Sequence, residues 1–353
     1  MAKKRRRHGY RAVYGGLYTK ISIRDREKRQ TMKPFNILVM QHIHSEGLEV
    51  LRQANCRITI PDRLDRETVL PLAREADAIL VRTAAIDRTL IESAPNCKVV
   101  ARHGAGIDQI DQKAAAERGI FVCNTPHANS NSVAEHAVGM MIALSHHMLK
   151  GDRALRQGDF DARNRYIGTE LLGKTLGIIG LGNIGKRVAR KCALGMEMNV
   201  IAYDPFLEDG SGLGYVRMSD SFDALMAESD IVSLHVPYVP QFHNLIDRRA
   251  LSLMKPGALL INCARGGLVD EQALYELLKE GKLAAAGLDV FEHEPPIGRH
   301  PLWELDNVIV TPHMSAHTED ALIAMAVGAA EEIVRVLRNE QPLYCVNRHL
   351  FQS

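Results

Sequence analysis

Three polar residues that could carry out acid–base chemistry each follow an apolar, strand-like run. They are Arg265 in N-C-A-R-G-G-L-V-D, Glu294 in L-D-V-F-E-H-E-P-P and His313 in V-T-P-H. A histidine can take a proton from a hydroxyl group near neutral pH, and an adjacent carboxylate favours its protonated form and orients its ring. A guanidinium can bind a carboxylate and polarise a neighbouring carbonyl. Each residue alone has a structural explanation, but beside a nucleotide site they suit hydride transfer at an alcohol carbon.

A glycine-rich run from Thr175 to Gly185, T-L-G-I-I-G-L-G-N-I-G, predicts such a nucleotide site. Gly180 would allow a tight turn, Gly182 a close approach of the backbone to a pyrophosphate, and Gly185 close packing of the next helix. The phosphates would lie at the helix N-terminus, where free N–H groups favour an anion. The pattern alone is weak evidence, because ordinary turns also have it.

Asp204 strengthens the prediction, since it stands nineteen residues after Gly185 and ends the apolar run 199–203. A carboxylate there would meet the ribose hydroxyls of adenosine and repel a 2′-phosphate. Pro205, not an arginine, follows it. We therefore expect NAD as the cofactor in preference to NADP; the alternative is that Asp204 only caps a surface turn.

The elements that must position these residues alternate between short apolar runs and helical stretches. This pattern predicts an α/β chain with two doubly wound, Rossmann-like domains, mostly parallel sheets and a cleft between them. Predicted strands are 36–40, 78–82, 99–103, 120–124, 175–179, 199–203, 231–236, 259–263, 285–290 and 308–311. Predicted helices include 108–118, 132–156 and 319–339. The second is expected to begin with a capping box formed by Ser132 and Glu135, and the third to pack back on the first sheet.

Composition places limits on the function. With 353 residues, 46% hydrophobic and 24% charged, the sequence suits a globular protein of two domains. Its apolar runs fall short of a membrane span, and its six cysteines contain no C-x-x-C pair, so we expect a cytoplasmic protein with reduced thiols. Neither H-E-x-x-H nor clustered Cys/His spacing occurs, and no metal is predicted.

The basic residues concentrate in the first 31 residues, which hold eleven Lys/Arg against two acids. The net charge of this segment is +9, and that of the whole chain is +2, so the remaining residues carry a net charge of −7. A basic run can bind nucleic acid, but the segment lacks hydrophobic periodicity, so we expect a disordered extension, residues 1–33, and no nucleic-acid partner. Met32-Lys33-Pro34 looks like a natural start, so the extension is expected to lie upstream of the original reading frame.

From about Phe35 to Asn347 the chain resembles the D-isomer-specific 2-hydroxyacid dehydrogenases. The resemblance rests on motifs in family order: V-A-R-H-G-A-G-I-D-Q-I-D, N-T-P-H-A-N-S-N-S-V-A-E-H, G-L-G-N-I-G with Y-D-P, L-H-V-P, N-C-A-R-G-G-L-V-D-E, L-D-V-F-E-H-E-P-P and T-P-H. It implies that His313 is the acid/base, Glu294 its partner, and Arg265 the anchor for the substrate carboxylate and carbonyl.

The resemblance also implies the remaining site residues and the domain division. Substrate contacts would be Arg82, Thr83, His103, Gly104, Ala105 and Gly106, the last three through backbone N–H groups that receive the carboxylate. The NAD site would comprise Gly180, Gly182, Asn183, Ile184, Gly185, Asp204, His235, Val236, Pro237, Cys263, Ala264 and Asp289, with Asp289 near the nicotinamide amide. The substrate domain would join 34–126 to 314–347, the NAD domain would be 127–313, and homodimers would form largely through the latter.

Within the family the sequence is most similar to phosphoglycerate dehydrogenases, through V-R-T-A at Val81 to Ala84 and G-T-E-L-L-G-K-T-L-G-I. Arg82 and Thr83 would then contact the phosphate. Three positions depart from the common pattern: His146 for arginine, Gln109 for asparagine, and M-S-A-H-T at 314–318 for I-G-G-S-T. His317 is thus an extra imidazole, expected to start a helix rather than to catalyse. The C-terminal regulatory domain of many relatives is not matched, and we expect no serine feedback through it.

Several functions stay open at this point. 3-Phosphoglycerate is the first candidate substrate, with hydroxypyruvate or glyoxylate reduction as the alternative and phosphite oxidation as a distant third. An alternative of another class is an NAD(H)-sensing, corepressor-like binding protein, which the basic N-terminal segment favours.

Overall fold

The computed structural model describes residues 33–207 and 212–351, and the predicted extension up to residue 32 lies outside them. The named strands of the described residues form two separate sheets, and every pairing between these strands is parallel, which confirms the predicted fold class. In parallel sheets the crossover helices cover both faces, so the inner strands are largely buried. The strand Ala78–Val81 shows this, since all four of its residues are buried.

The first sheet has five strands in the order β2-β1-β3-β4-β5. They are β1 (Phe35–Val39), β2 (Cys56–Thr59), β3 (Ala78–Val81), β4 (Val99–Arg102) and β5 (Phe121–Cys123). The second sheet has seven strands in the order β12-β11-β10-β9-β6-β7-β8. They are β6 (Thr175–Ile179), β7 (Asn199–Tyr203), β8 (Arg217–Met218), β9 (Ile231–Leu234), β10 (Leu259–Asn262), β11 (Ala285–Leu288) and β12 (Val308–Val310).

Helices connect the strands across both faces. They are α1 (Ser45–Gln53), α2 (Arg66–Arg74), α3 (Arg88–Glu92), α4 (Gln112–Glu117), α5 (Ser130–Ser145), α6 (Met148–Arg156), α7 (Asn183–Gly195), α8 (Phe222–Glu228), α9 (Arg248–Leu253), α10 (Glu271–Lys279) and α11 (Glu319–Leu337). Short 3-10 turns occupy Phe160–Asn164, Pro240–Phe242, Gly266–Leu268, Pro301–Glu304 and Arg348–Leu350. None of the helices within the described ranges has both the length and the apolar character needed to cross a bilayer.

The final helix, α11, returns to the first sheet, as its position in the sequence predicts. Its buried residues Ala329, Ala330 and Ile333 share a core with Ile37 and Val39 of β1. Residues from both ends of the described chain therefore build one core.

The predicted long helix over 132–156 is wrong in two respects. It is broken into α5 and α6 at His147, whose backbone is left-handed (φ 52°). The capping box is also absent, because α5 begins at Ser130 and leaves Ser132 inside the first turn. The Ser132 hydroxyl donates to the Ser315 carbonyl instead (2.6 Å) and so ties α5 to the segment after β12.

Candidate active site

The glycine turn after β6 has the geometry that the sequence predicts. Gly180 has φ +90°, and a Cβ atom there would lie 2.6 Å from Val236 Cγ1 and 2.8 Å from the His235 carbonyl oxygen. A Cβ on Gly185 would collide with the carbonyl oxygen of Gly180, which explains how closely α7 packs on β6. At Gly182 a Cβ would meet no protein atom within 4 Å. The backbone is therefore open to a ligand at Gly182 and closed by packing at the other two glycines.

The N-terminus of α7 faces this open space without a side-chain cap. Gly182 is the N-cap residue, and no side chain of the described residues caps the first turn. The Asn183 side chain instead donates to the Pro126 carbonyl (3.1 Å), which joins α7 to the chain segment after β5. Uncapped amide groups at a helix N-terminus bind phosphate, so these residues fit the pyrophosphate of a dinucleotide.

Asp204 lies at the carboxyl end of β7, beside the glycine turn. Its Oδ2 accepts from the Leu181 amide (2.9 Å) and its Oδ1 from the Phe206 amide (3.1 Å). The carboxylate is thereby fixed next to the cradle, where an adenosine ribose would meet it.

Further predicted cofactor residues follow β9 and β10. Val236 contacts Gly180 as described, and the His235 ring shares a hydrogen bond with Ser233 Oγ (2.9 Å). Burial lowers the pKa of His235 to about 4. Cys263 and Ala264 are buried after β10, with Cys263 Sγ 3.9 Å from Met140 Sδ, whereas Pro237 is exposed. These positions share the carboxyl edge of the sheet with the cradle.

Asp289 is fully buried, and its carboxylate holds the segment that carries His313. Oδ1 accepts from Thr311 Oγ1 (2.6 Å) and the Met314 amide (2.8 Å), and Oδ2 accepts from the Ser315 amide (2.8 Å). The His313 amide donates to the Asp289 carbonyl (2.8 Å). Asp289 therefore fixes the backbone on both sides of the histidine.

His313 and Glu294 form the pair that their residue types predict. Nδ1 of His313 lies 2.6 Å from Glu294 Oε2, while Glu294 Oε1 accepts from the Phe291 amide (3.0 Å). Because both carboxylate oxygens are engaged, the carboxylate cannot rotate without losing a bond. Nδ1 is committed to Glu294, while Nε2 of this half-exposed ring has no hydrogen-bond partner among the described residues and can act on a ligand.

Arg265 lies against a loop of the first sheet and so joins the two halves of the site. Its Nε and Nη2 donate to Asp108 Oδ2 (3.0 and 2.9 Å), and a Cβ atom on Gly106 would collide with its guanidinium. The next residue, Gly266, packs against the backbone of Phe291, leaving no room for a side chain. The arginine loop is thereby packed directly on the loop that carries Glu294.

The loop after β4 offers two amide groups rather than three. The Gly104 amide donates to Thr125 Oγ1 (3.0 Å), so the predicted set of carboxylate-binding amides narrows to Ala105 and Gly106. These two donate to no protein group in the described part of the chain. Asn124 Nδ2 donates to the Ala105 carbonyl (2.7 Å) and fixes the loop from behind.

Arg82 directly follows β3, and its side chain reaches the predicted extra imidazole. Its Nη2 lies 3.1 Å from Nε2 of His317, which directly precedes Thr318, the N-cap of α11. Burial, followed by the charge of Arg82, lowers the pKa of His317. His317 thus does precede a helix, and its side chain also reaches the site.

His103, also a predicted substrate residue, is buried beside the same arginine. Burial first, then the charge of Arg82, lowers its pKa to about 4, and its Nε2 has no partner among the described residues. His103 is therefore held as the neutral imidazole.

Three residues that the sequence did not single out complete the site. Gln41, after β1, accepts from the amides of Arg82 (3.2 Å), Thr83 (2.8 Å) and Ala84 (3.0 Å) and fixes that turn. Arg102 donates to the Gly106 carbonyl (2.9 Å), and burial followed by the charge of Arg265 lowers its pKa to about 10. Asp108 is the third, as the partner of Arg265. Arg102 and Asp108 belong to the quoted V-A-R-H-G-A-G-I-D motif, whereas Gln41 had no signal beyond its place at a strand end.

Comparison with known proteins identifies the family. The sequence model described as "D-isomer specific 2-hydroxyacid dehydrogenase, NAD binding domain" matches residues 138–315. Hydroxypyruvate reductase of Thermotoga maritima is 40% identical over 310 residues, 87% of this chain and 99% of that protein. The chain belongs to the D-isomer specific 2-hydroxyacid dehydrogenases.

Two further comparisons show similar proteins. D-3-phosphoglycerate dehydrogenase of Methanocaldococcus jannaschii is 44% identical over 314 residues, 88% of this chain. The chain spans only 59% of the length of that relative. The crystal structure of a Thermus thermophilus protein superposes with a TM-score of 0.82 at 33% identity and covers 88% of this chain and all of that one. The predicted family and its NAD-binding domain are thereby confirmed.

Proposed function

We propose that the protein is an NAD-dependent dehydrogenase that interconverts a small 2-hydroxy acid and its 2-keto acid, with 3-phosphoglycerate and its keto acid as the first candidates. The observation that carries the proposal is the 2.6 Å contact between His313 Nδ1 and Glu294 Oε2, at the same sheet edge as an open dinucleotide cradle. A cradle alone would fit a binding protein. A histidine with one nitrogen committed to a carboxylate and the other free is what proton transfer requires.

His313 would exchange the proton of the substrate hydroxyl. When bound, the nicotinamide supplies or accepts the hydride at C2 of the acid. In the reducing direction, Nε2 of protonated His313 donates to the oxygen of the former carbonyl, and Glu294 stabilises the imidazolium before it does so. In the oxidising direction, neutral Nε2 takes the hydroxyl proton, and the same carboxylate stabilises the cation that forms.

The substrate carboxylate would be bound between the two halves of the site. The free amides of Ala105 and Gly106 form one side, and the Arg265 guanidinium, which lies against Gly106, forms the other. Arg265 would exchange its contact with Asp108 for the substrate and polarise the neighbouring carbonyl oxygen. This arrangement orients C2 but leaves the third substituent of the acid to other residues.

Arg82 would select that third substituent. Its turn is fixed by Gln41, and its guanidinium contacts a neutral His317 rather than a carboxylate. Arg82 also lies close enough to Arg102 and His103 to lower the pKa of each, so the surroundings are positive. An arginine held in this way suits a phosphate, which favours 3-phosphoglycerate. Because the chain is similar to the hydroxypyruvate reductase named above, hydroxypyruvate or glyoxylate is the alternative substrate.

A substrate panel with matched variants tests this choice. The purified protein is assayed at 340 nm with NAD(H) and 3-phosphohydroxypyruvate, hydroxypyruvate, glyoxylate and pyruvate. Arg82→Gln should raise KM for the phosphorylated acid by about tenfold or more and leave KM for hydroxypyruvate nearly unchanged, since a charged hydrogen bond contributes about 1.5–3 kcal/mol. Arg88→Gln is the control, because Arg88 pairs with Glu117 on the surface. An equal change for both acids would reject phosphate selection by Arg82.

The other predictions complete the proposal. We place Asp289 near the nicotinamide amide and Asp204 on the ribose, and we divide the chain into a substrate domain (34–126 and 314–347) and an NAD domain (127–313).

We also propose a homodimer through the NAD domain. Leu155, Phe160 and Ile167, on α6 and the segment before β6, are 60–77% exposed, and large exposed apolar side chains close in sequence favour an interface. A cytoplasmic location accords with the free cysteines.

A further inference from the structure

The C-terminal segment, residues 343–351, lies along the edge of β5. The Val346 amide donates to the Val122 carbonyl (2.9 Å), and the Asn124 amide donates to the Tyr344 carbonyl (3.2 Å). Between these two bonds, Cys123 and Cys345 stand opposite each other in an antiparallel bridge. The segment is therefore paired as a short extra strand, with one cysteine on each side of the pairing.

The hydrogen-bond pattern fixes the geometry of this cysteine pair. Because the flanking residues make both bonds, Cys123 and Cys345 occupy a non-hydrogen-bonded position. The Cα atoms of such a pair are about 4.5 Å apart and the side chains lie on the same face. Disulfides have Cα atoms about 4.4–6.8 Å apart, so the bond can form with little backbone movement. No other two of the six cysteines, all of which lie in the described ranges, oppose each other in a strand pair.

The surroundings give the two thiols different access to a reagent. Cys345 is half-buried and donates to Asn347 Oδ1 (3.3 Å), whereas Cys123 is completely buried. A disulfide in solution therefore reaches Cys345 first. Since the thiolate is the attacking species, the Cys345 thiolate is the nucleophile and Cys123 the resolving thiol.

We propose that Cys123 and Cys345 are a redox site that forms a reversible disulfide with a small-molecule disulfide, such as oxidised glutathione, as the oxidant. The Cys345 thiolate attacks one sulfur of the oxidant, which forms a mixed disulfide and releases one glutathione. The sulfur of Cys123 then attacks Sγ of Cys345 as its thiol proton passes to the departing glutathione thiolate, which leaves as the second glutathione. Two protein thiols are oxidised and one glutathione disulfide is reduced to two thiols. The site acts independently of the hydride-transfer chemistry.

The bond would fasten the C-terminal segment to the strand that leads into the site. Asn124 and Thr125, directly after Cys123, hold the carbonyl of Ala105 and the amide of Gly104. The segment is otherwise held by hydrogen bonds, among them those from the Leu343 and Tyr344 amides to buried Glu332 (2.9 and 3.2 Å). Oxidation should therefore slow the local opening that exposes the Val346 amide to hydrogen exchange.

The test treats the full chain with oxidised glutathione, removes the reagent and counts thiols in denaturant. We expect the count to fall from six to four. Trypsin should yield one cross-linked species that joins peptide 119–150 to peptide 339–348, each of which contains a single cysteine. Hydrogen exchange of peptide 339–348 should slow on oxidation and recover with dithiothreitol.

Variants separate this outcome from general thiol oxidation. Cys345→Ser should keep all of its remaining thiols through the treatment, and Cys123→Ala should retain glutathione at Cys345 because the resolving thiol is missing. Cys56→Ser is the matched control, since Cys56 is also half-buried but its pKa is raised to about 11 by burial; it should still form the cross-link. An unchanged thiol count, cross-links through other cysteines, or glutathione that persists on the unsubstituted protein would each overturn the proposal.

Discussion

Replacing Glu294 by Gln removes the charge beside His313 with little change in shape. The carboxylate accepts two hydrogen bonds, from His313 Nδ1 (2.6 Å) and from the Phe291 amide (3.0 Å). A glutamine has only one oxygen, so it can accept one of these bonds while its NH2 group faces the other donor. The variant should therefore lose the stabilisation of the imidazolium and also part of the orientation of the ring.

The distances and exposures set the size of the effect. A hydrogen bond between charged groups contributes about 1.5–3 kcal/mol, and each 1.36 kcal/mol corresponds to a factor of about ten in rate. The side chains of His313 and Glu294 are 48% and 34% exposed, so solvent screening places the value at the lower end of this range. We expect keto-acid reduction by Glu294→Gln to be slower by about ten- to thirtyfold.

Single-turnover oxidation of bound NADH, followed at 340 nm with saturating keto acid, measures this step. Glu271→Gln is the matched control, because Glu271 also pairs with a histidine, His300 (2.9 Å), and accepts from the Glu292 amide (2.8 Å). The control should lose stability and retain the rate of hydride transfer. A rate for Glu294→Gln within twofold of the unsubstituted protein, or an equal loss in both variants, would refute the assigned role of Glu294.

Three other predictions follow from the cradle and its surroundings. Gly182→Ala should weaken NADH binding by about tenfold or more and leave the melting temperature nearly unchanged, because its methyl group would enter the open space of the cradle. Gly185→Ala should instead lower the melting temperature, since overpacking costs about 1–3 kcal/mol. Calorimetry and NADH titration distinguish the two effects. Asp204→Asn should lower KM for NADP relative to NAD, and an unchanged ratio would place the ribose elsewhere. The pKa of His103 in the folded protein, about 4, lies below the value of about 6.5 in an unfolded chain. Between these pH values the unfolded state binds a proton at His103 and the folded state does not. The stability of the fold therefore decreases as the pH falls through this range. The free energy of unfolding, measured with urea, should fall between pH 7 and pH 4.5 by about 2 kcal/mol less in His103→Asn than in the unsubstituted protein. Equal losses in the two proteins would contradict the buried neutral imidazole.

The sequence predicted most of the fold because apolar runs mark buried parallel strands. β6 and β7 have the predicted bounds, while several other strands end one or two residues early, where the chain turns into a site loop. β2 and β8 were missed, since edge strands are short and partly exposed and lack a continuous apolar run. The break at His147 was missed because helical periodicity continues through it, and only the left-handed backbone of one residue interrupts the helix.

The sequence also predicted residues of the candidate site that follow strands, because parallel strands bring their carboxyl ends to one edge. The pairing of His313 with Glu294 has this origin. Contacts between residues distant in sequence could not be predicted in the same way: the contact of Arg265 with Asp108 and that of Arg82 with His317 each span more than 150 residues of sequence. Gln41 was missed because a single glutamine shows its function only when three amide groups converge on it.

The most direct test of the central claim is a single-turnover measurement on His313→Gln with the keto acid that the panel selects. If His313 transfers the proton, NADH oxidation should slow by about a hundredfold or more, while the dissociation constant for NADH, measured by fluorescence, stays within about twofold. A rate within tenfold of the unsubstituted protein, with normal NADH binding, would contradict the acid/base assignment and leave the cradle as the site of a binding protein.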